Sequence, residues 1–176
     1  VVEWLGKYDV SISEALKHGW KYSPYYDQLV FIFRDQENKV ACIQARNFRA
    51  GAKTKYYNQG STASVMPIFK APVGVWEMGR RVVVVEDAVS AARIARQSDA
   101  MPCLGSSLPV KKIAALKGLN YEQVLVWLDS DKLKEAREIE TMCKWIGLSA
   151  RTIYTKLDPK CYSDKDIAKI MLDKIS

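Results

Sequence analysis

Apolar residues follow two different rhythms along this chain, and the change comes near residue 80. Before it, residues 29–33 and 40–45 are mostly apolar and are separated by the polar run Arg34-Asp35-Gln36-Glu37-Asn38-Lys39, which predicts a β-hairpin. Upstream, Ser11 with Glu14 three residues on forms a capping-box pattern, so a short helix runs through Lys17 and ends at Gly19. Residues 20–26 are dense in aromatics and are read as a minor core beneath a loop, in preference to a surface for stacking bases. Residues 66–69 suit a short edge strand, and 72–79 a connector. After residue 80, strand and helix patterns alternate four times: strands at 82–86, 101–104, 124–128 and 150–154, helices at 88–97, 109–117, 132–146 and 163–175. The last helix places Ile167, Ile170, Met171 and Ile175 on one face. Such alternation predicts a parallel sheet sandwiched by helices. The expected architecture is α/β over residues 79–176, preceded by a small α+β domain over 1–78.

Two of these strands end alike. Val82-Val83-Val84-Val85 stops at Glu86-Asp87, and Val124-Leu125-Val126-Trp127-Leu128 stops at Asp129-Ser130-Asp131. Uninterrupted apolar runs suit strands buried on both faces, and ligands of open α/β sheets bind beyond the carboxyl ends of the strands. Alternate residues of an extended segment point the same way, so Asp129 and Asp131 can share a crevice. Crowded carboxylates need a cation, and Mg²⁺ or Mn²⁺ is the natural occupant. The competing reading is helix capping, which Asp and Glu do well. It is preferred for one strand taken alone, whereas two strands ending alike favour a metal site.

Charge changes the picture further. With 27 basic and 20 acidic residues the chain carries a net charge of +7, which favours a polyanionic partner such as nucleic acid or a nucleotide. Arg46, Arg49, Lys53 and Lys55 lead into Tyr56-Tyr57-Asn58, a mixture that reads either as a phosphate-tracking groove or as a solvated loop. The cysteines, Cys42, Cys103, Cys143 and Cys161, are dispersed and the only histidine is His18, so zinc-ligand spacing and a disulfide framework are both absent. Reduced, mostly buried thiols in a cytoplasmic protein are expected. No apolar run is long enough for a membrane span, no signal peptide is visible, and a start at Val1 is expected of a fragment of a longer protein. No stretch fits a P-loop.

Glu86 after one strand, with Asp129-Ser130-Asp131 after another about forty residues on, resembles the Toprim domain. That domain is shared by DnaG-type primases, type IA and type II topoisomerases, and small nucleases. The first half narrows the resemblance. Residues 30–35 (Val-Phe-Ile-Phe-Arg-Asp), Gln44-Ala45-Arg46, Lys55-Tyr56-Tyr57-Asn58 and Ile68-Phe69-Lys70 follow the order of motifs in the catalytic core of bacterial and phage primases. The resemblance implies a metal-dependent nucleotidyltransferase that makes short RNA primers on single-stranded DNA during replication. Nucleoside triphosphates would be its substrates. A replicative helicase and a zinc-binding domain, in this or another chain, would be its partners. It implies Glu86, Asp129 and Asp131 as catalytic metal ligands with Asp158 as a further ligand. Arg46, Arg49, Lys53, Lys55, Tyr56, Asn58 and Lys70 would contact template or nucleotide.

The sequence departs from that pattern at Asp87, where glycine is usual, at Ser90, where a further Asp often stands, and at Lys132-Leu133-Lys134 after the Asp-x-Asp. These changes fit a divergent phage-type or helicase-linked primase and leave the number of metal ions open. Two other readings remain: a Toprim nuclease or topoisomerase fragment, and a degenerate module that only binds nucleic acid or a helicase. The residue before Pro159 also has an ordinary role, since Asp-Pro commonly initiates a turn.

Overall fold

Alternation along residues 28–34 buries Leu29, Phe31 and Phe33 and leaves Val30 and Ile32 half-covered, so one face of a sheet is apolar. The structure, a computed structural model, describes residues 1–73, 80–105 and 107–174. Its contacts divide the chain into two units, Val1–Pro67 and Ile68–Ser176.

The first unit carries helices α1 (Val2–Gly6) and α2 (Ile12–Lys17) and four antiparallel strands in chain order: β1 (Lys21–Ser23), β2 (Gln28–Arg34), β3 (Val40–Asn47) and β4 (Tyr56–Gly60). Ser11 caps α2 by accepting from the Glu14 N–H at 3.1 Å, and Gly19 follows with a positive φ, as the sequence predicts. The hairpin of β2 and β3 is also as expected. Of the aromatics at 20–26, only Trp20 is buried, edge-on to Phe31 at 4.8 Å; Tyr22, Tyr25 and Tyr26 are exposed. Strand β4 replaces the expected basic-aromatic loop over residues 56–60. It ends at Gly60, where φ is +86° and a Cβ would collide with the Ala41 carbonyl oxygen, so only glycine fits.

The second unit alternates β5 (Arg81–Val85), α3 (Ala88–Ala95), β6 (Asp99–Pro102), α4 (Val110–Gly118), β7 (Gln123–Val126), α5 (Leu133–Trp145), β8 (Ser149–Thr152) and α6 (Asp164–Asp173). All four strands are parallel, in the order β6-β5-β7-β8. On one face Val83, Val85, Leu125 and Trp127 pack with Ala91 and Ile94 of α3 and Ile167 and Met171 of α6. The alternate residues Val82, Val84, Val124 and Val126 are equally buried, along with Ile113 and Leu116 of α4 and Ala136, Ile139 and Cys143 of α5. Burial on both faces is what the unbroken valine runs demand.

Two details differ from expectation. Strand β6 begins at Asp99, two residues early, because Asp99 and Ala100 already pair with Val82 and Val83 of β5, and on its other edge Ala100 exchanges backbone hydrogen bonds with Phe69 at 2.8 and 2.9 Å. That bridge is all that forms of the edge strand expected at 66–69, and it draws residues 68–73 into the second unit, so the division falls after Pro67 rather than after Met78. The last helix is capped by Ser163, while Asp164 pairs with the buried Arg93 at 2.9 Å and with Arg96 at 3.1 Å. Most of the connector expected at 72–79, and Ile175, lie outside the described residues.

Leu125 is fully buried. Leu125→Ala is expected to destabilise the chain by about 2–5 kcal/mol, read as a lower urea midpoint at constant slope. The exposed Trp145→Ala should change stability by no more than about 0.5 kcal/mol.

Candidate functional site

The strand order creates the site. From β5 the chain moves outward through α3 to β6, then returns through α4 past β5 to β7, and continues through α5 to β8. The direction of winding therefore reverses between β5 and β7, and a crevice opens at their carboxyl ends. Glu86 and Asp87 follow β5; Asp129 and Asp131 follow β7. Trp127 extends the pairing beyond β7 through its N–H bond to Val84 O at 2.8 Å, which keeps the approach to Asp129 in register.

The acids do not play one role. Asp87 is the N-cap of α3 and accepts from Val89 N–H and Ser90 N–H, both at 2.9 Å. Asp158, at the start of a short 3-10 helix, accepts from Ser130 N–H at 3.4 Å. Between them lies Lys160, whose side chain is only 10% exposed. Its Nζ stands 2.7 Å from Asp87 Oδ2, 3.3 Å from Asp158 Oδ2 and 3.4 Å from Asp129 Oδ2. Asp131 is turned outward, with its side chain 74% exposed and 3.5 Å from Lys132 Nζ. Two carboxylate oxygens, Glu86 Oε2 and Asp129 Oδ1, are buried with no donor reaching them among the described residues. Of the expected ligands Glu86, Asp129, Asp131 and Asp158, no three converge into a ready metal cage among the described residues.

Titration follows the crowding. Burial, opposed by Lys160 and reinforced by the charges of Asp87, Asp158 and Glu86, pushes the Asp129 carboxyl up to about 7. Burial and then the Asp87 charge also raise Glu86, against Lys132 and Lys160. Burial alone would lower Lys160, but Asp87, Asp129 and Asp158 outweigh it and hold the ammonium firmly charged. An anionic site in a basic chain, with two buried oxygens unmet, suits a divalent cation. Asp87 and Lys160 are members of the site that sequence reasoning missed. The signals were Asp87 at the strand–helix junction, where caps sit, and Lys160 two residues after Asp158.

The residues expected to contact nucleic acid are divided between the units. In the first unit the Arg46 guanidinium is stacked by Trp4 at 4.4 Å, Tyr56 at 5.2 Å and Phe48 at 5.6 Å. Arg49 donates to Tyr25 O at 2.9 Å. Lys53, Lys55 and Asn58 are exposed. In the second unit Lys70 is held by Asp99 at 2.8 Å and the Tyr121 hydroxyl at 2.7 Å, so its charge already has a partner.

No protein-family model and no curated protein matches this sequence. Solved structures do. The zinc-binding and RNA polymerase domains of the Aquifex aeolicus primase superpose with a TM-score of 0.78 at 14% identity, over 97% of this chain and 55% of that one. This chain therefore spans little more than half of that protein fragment. The chain has the fold of a primase catalytic core. The primase fragment of the bacteriophage T7 primase-helicase matches with a TM-score of 0.66 at 16% identity, over 97% of this chain and 73% of that one. A DnaG primase catalytic domain bound to single-stranded DNA matches with a TM-score of 0.70 at 16% identity, over 97% and 70%. The primase fold accounts for both units: a parallel sheet flanked by helices, as in Toprim domains, after a smaller α+β unit.

Asp87→Ala removes a helix cap and one partner of a buried lysine, so stability should fall by at least about 1 kcal/mol. Asp87→Asn, which still caps, should lose less. The outward Asp131→Ala should change stability little, by about 0.5 kcal/mol at most, read as a nearly unmoved unfolding midpoint.

Proposed function

We propose that this chain is the polymerising core of a DNA primase, joining nucleoside triphosphates into short RNA primers on single-stranded DNA. The observation that carries this reading is the pair of unmet buried oxygens on Glu86 and Asp129, at the switch point of a primase-type sheet. Glu86, Asp129 and Asp131 would hold Mg²⁺ or Mn²⁺. Asp158 is better occupied by Lys160 and the Ser130 N–H. A divalent ion bound there would neutralise triphosphate charge and favour attack on the α-phosphorus.

The remaining work falls to the chain. Asp131, exposed beside Lys132, presents its carboxylate to solvent where a nucleotide would arrive. In the first unit, aromatic stacking takes the faces of the Arg46 guanidinium, and the N–H edge is the part suited to a bidentate phosphate grip. Arg49, Lys53 and Lys55 would add affinity that falls with salt. Tyr56 would serve by holding Arg46, and Asn58, exposed on β4, by a polar contact. A single-stranded template, a helicase partner and a zinc-binding domain in the same or another chain are supported by the solved neighbours, one of which is bound to single-stranded DNA, one part of a primase-helicase and one joined to a zinc-binding domain. Work in the cytoplasm is part of this reading; no helix among the described residues is long and apolar enough to cross a membrane.

A module that binds nucleic acid without chemistry is the second reading, favoured by Ser90 and by a lysine seated among the acids. Labelled-nucleotide incorporation on single-stranded DNA with Mg²⁺ or Mn²⁺ separates the two. The native chain should yield short products that fall below detection with Asp129→Ala. Template binding without products, unchanged by that substitution and by an added zinc-binding domain, would favour the module. Metal-dependent cutting of the template would point instead to a nuclease.

A further inference from the structure

The acids at the switch point form two halves with different counter-ions. In one half, Asp87 Oδ2, Asp158 Oδ2 and Asp129 Oδ2 surround Lys160 Nζ at 2.7, 3.3 and 3.4 Å. Backbone and hydroxyl donors complete this half: Val89 N–H and Ser90 N–H on Asp87 Oδ1, Ser90 Oγ on Asp87 Oδ2, and Ser130 N–H on Asp158 Oδ1. In the other half, Glu86 Oε2 and Asp129 Oδ1 are buried and unmet among the described residues, and the exposed Asp131 lies 3.5 Å from Lys132 Nζ and close enough to Glu86 to raise its carboxyl. Asp129 belongs to both, with one oxygen in each.

We infer that Lys160 is a tethered cation that fills one half of the acidic crevice and restricts the chain to a single divalent ion, bound in the half formed by Glu86, Asp129 and Asp131. The inference rests on the metal-binding reading of that site and adds its stoichiometry. The charges agree. Five carboxylates, Glu86, Asp87, Asp129, Asp131 and Asp158, oppose Lys132 and Lys160, so one divalent ion leaves about one negative charge and a second would reverse the sign. A second ion would meet an ammonium that shares the same three carboxylates, at separations where like charges repel strongly. A lysine can take this part because its compact ammonium is a point charge with three donors. It comes from the chain itself and so needs no ion from solution. It is nine-tenths buried, with the Pro159 turn fixing its backbone.

The test counts Mn²⁺ on the whole chain by the electron paramagnetic resonance of the unbound ion. The native chain should bind about one Mn²⁺, and Lys160→Arg, which keeps the charge, should do the same. Lys160→Gln should bind about two, with its thermal midpoint low in metal-free buffer and recovering on Mn²⁺ addition more than the native midpoint does. Two ions on the native chain would overturn the inference whether or not the variant folds. So would one ion on every chain, or a Gln variant that stays unfolded with Mn²⁺ present. No Mn²⁺ on any folded chain would instead overturn the metal-binding reading itself.

Discussion

Carboxylates crowded at one point of a sheet are the constraint on which the second unit turns. Glu86, Asp87, Asp129, Asp131 and Asp158 arrive there from three separate strand ends because the winding reverses between β5 and β7. Burial raises the cost of their charge, seen in the upward shifts of Asp129 and Glu86. The fold meets part of that cost with a helix cap, backbone donors and Lys160. What stays unmet among the described residues, one oxygen each on Glu86 and Asp129, is where the proposed cation would bind.

The same economy runs through both units: charged groups are held in place by partners that leave one side available. Arg46 is fixed by three aromatic rings from α1, β4 and the end of β3, which orient a guanidinium without neutralising it. Lys70 is the contrary case. The Asp99 carboxylate offsets its charge, the Tyr121 hydroxyl accepts from it and donates to Asp99, and together they tie the segment before β5 to β6. Its place in the motif order is thus matched by a structural role.

Much of this was legible in the sequence. The apolar runs at 82–85 and 124–126 announced central parallel strands, since only a strand covered on both faces stays apolar at every position. The Ser11 capping box and the β2–β3 hairpin were readable because they depend on local chemistry. Strand β4 was not, because Tyr56–Gly60 is a largely exposed edge strand with no apolar alternation. Helix α1 is a single short turn without a capping side chain and gave no signal either. In the site, Glu86, Asp129 and Asp131 stood out as acids at strand ends, and Asp158 entered through the resemblance alone. Their division into halves did not, because it depends on Lys160, which in sequence resembles any solvated lysine after a turn. Asp87 was visible as an acid, but its double service as helix cap and lysine partner emerges only when α3 and the Pro159 turn are brought together.

The central claim is that the ends of β5 and β7 attract a divalent cation. Paramagnetic broadening of backbone amide signals by substoichiometric Mn²⁺ tests it most directly. Broadening should centre on residues 86–87 and 129–132 and fade along α5 and β8, and excess Mg²⁺ should reverse it. Broadening centred elsewhere, or none at these residues, would contradict the account.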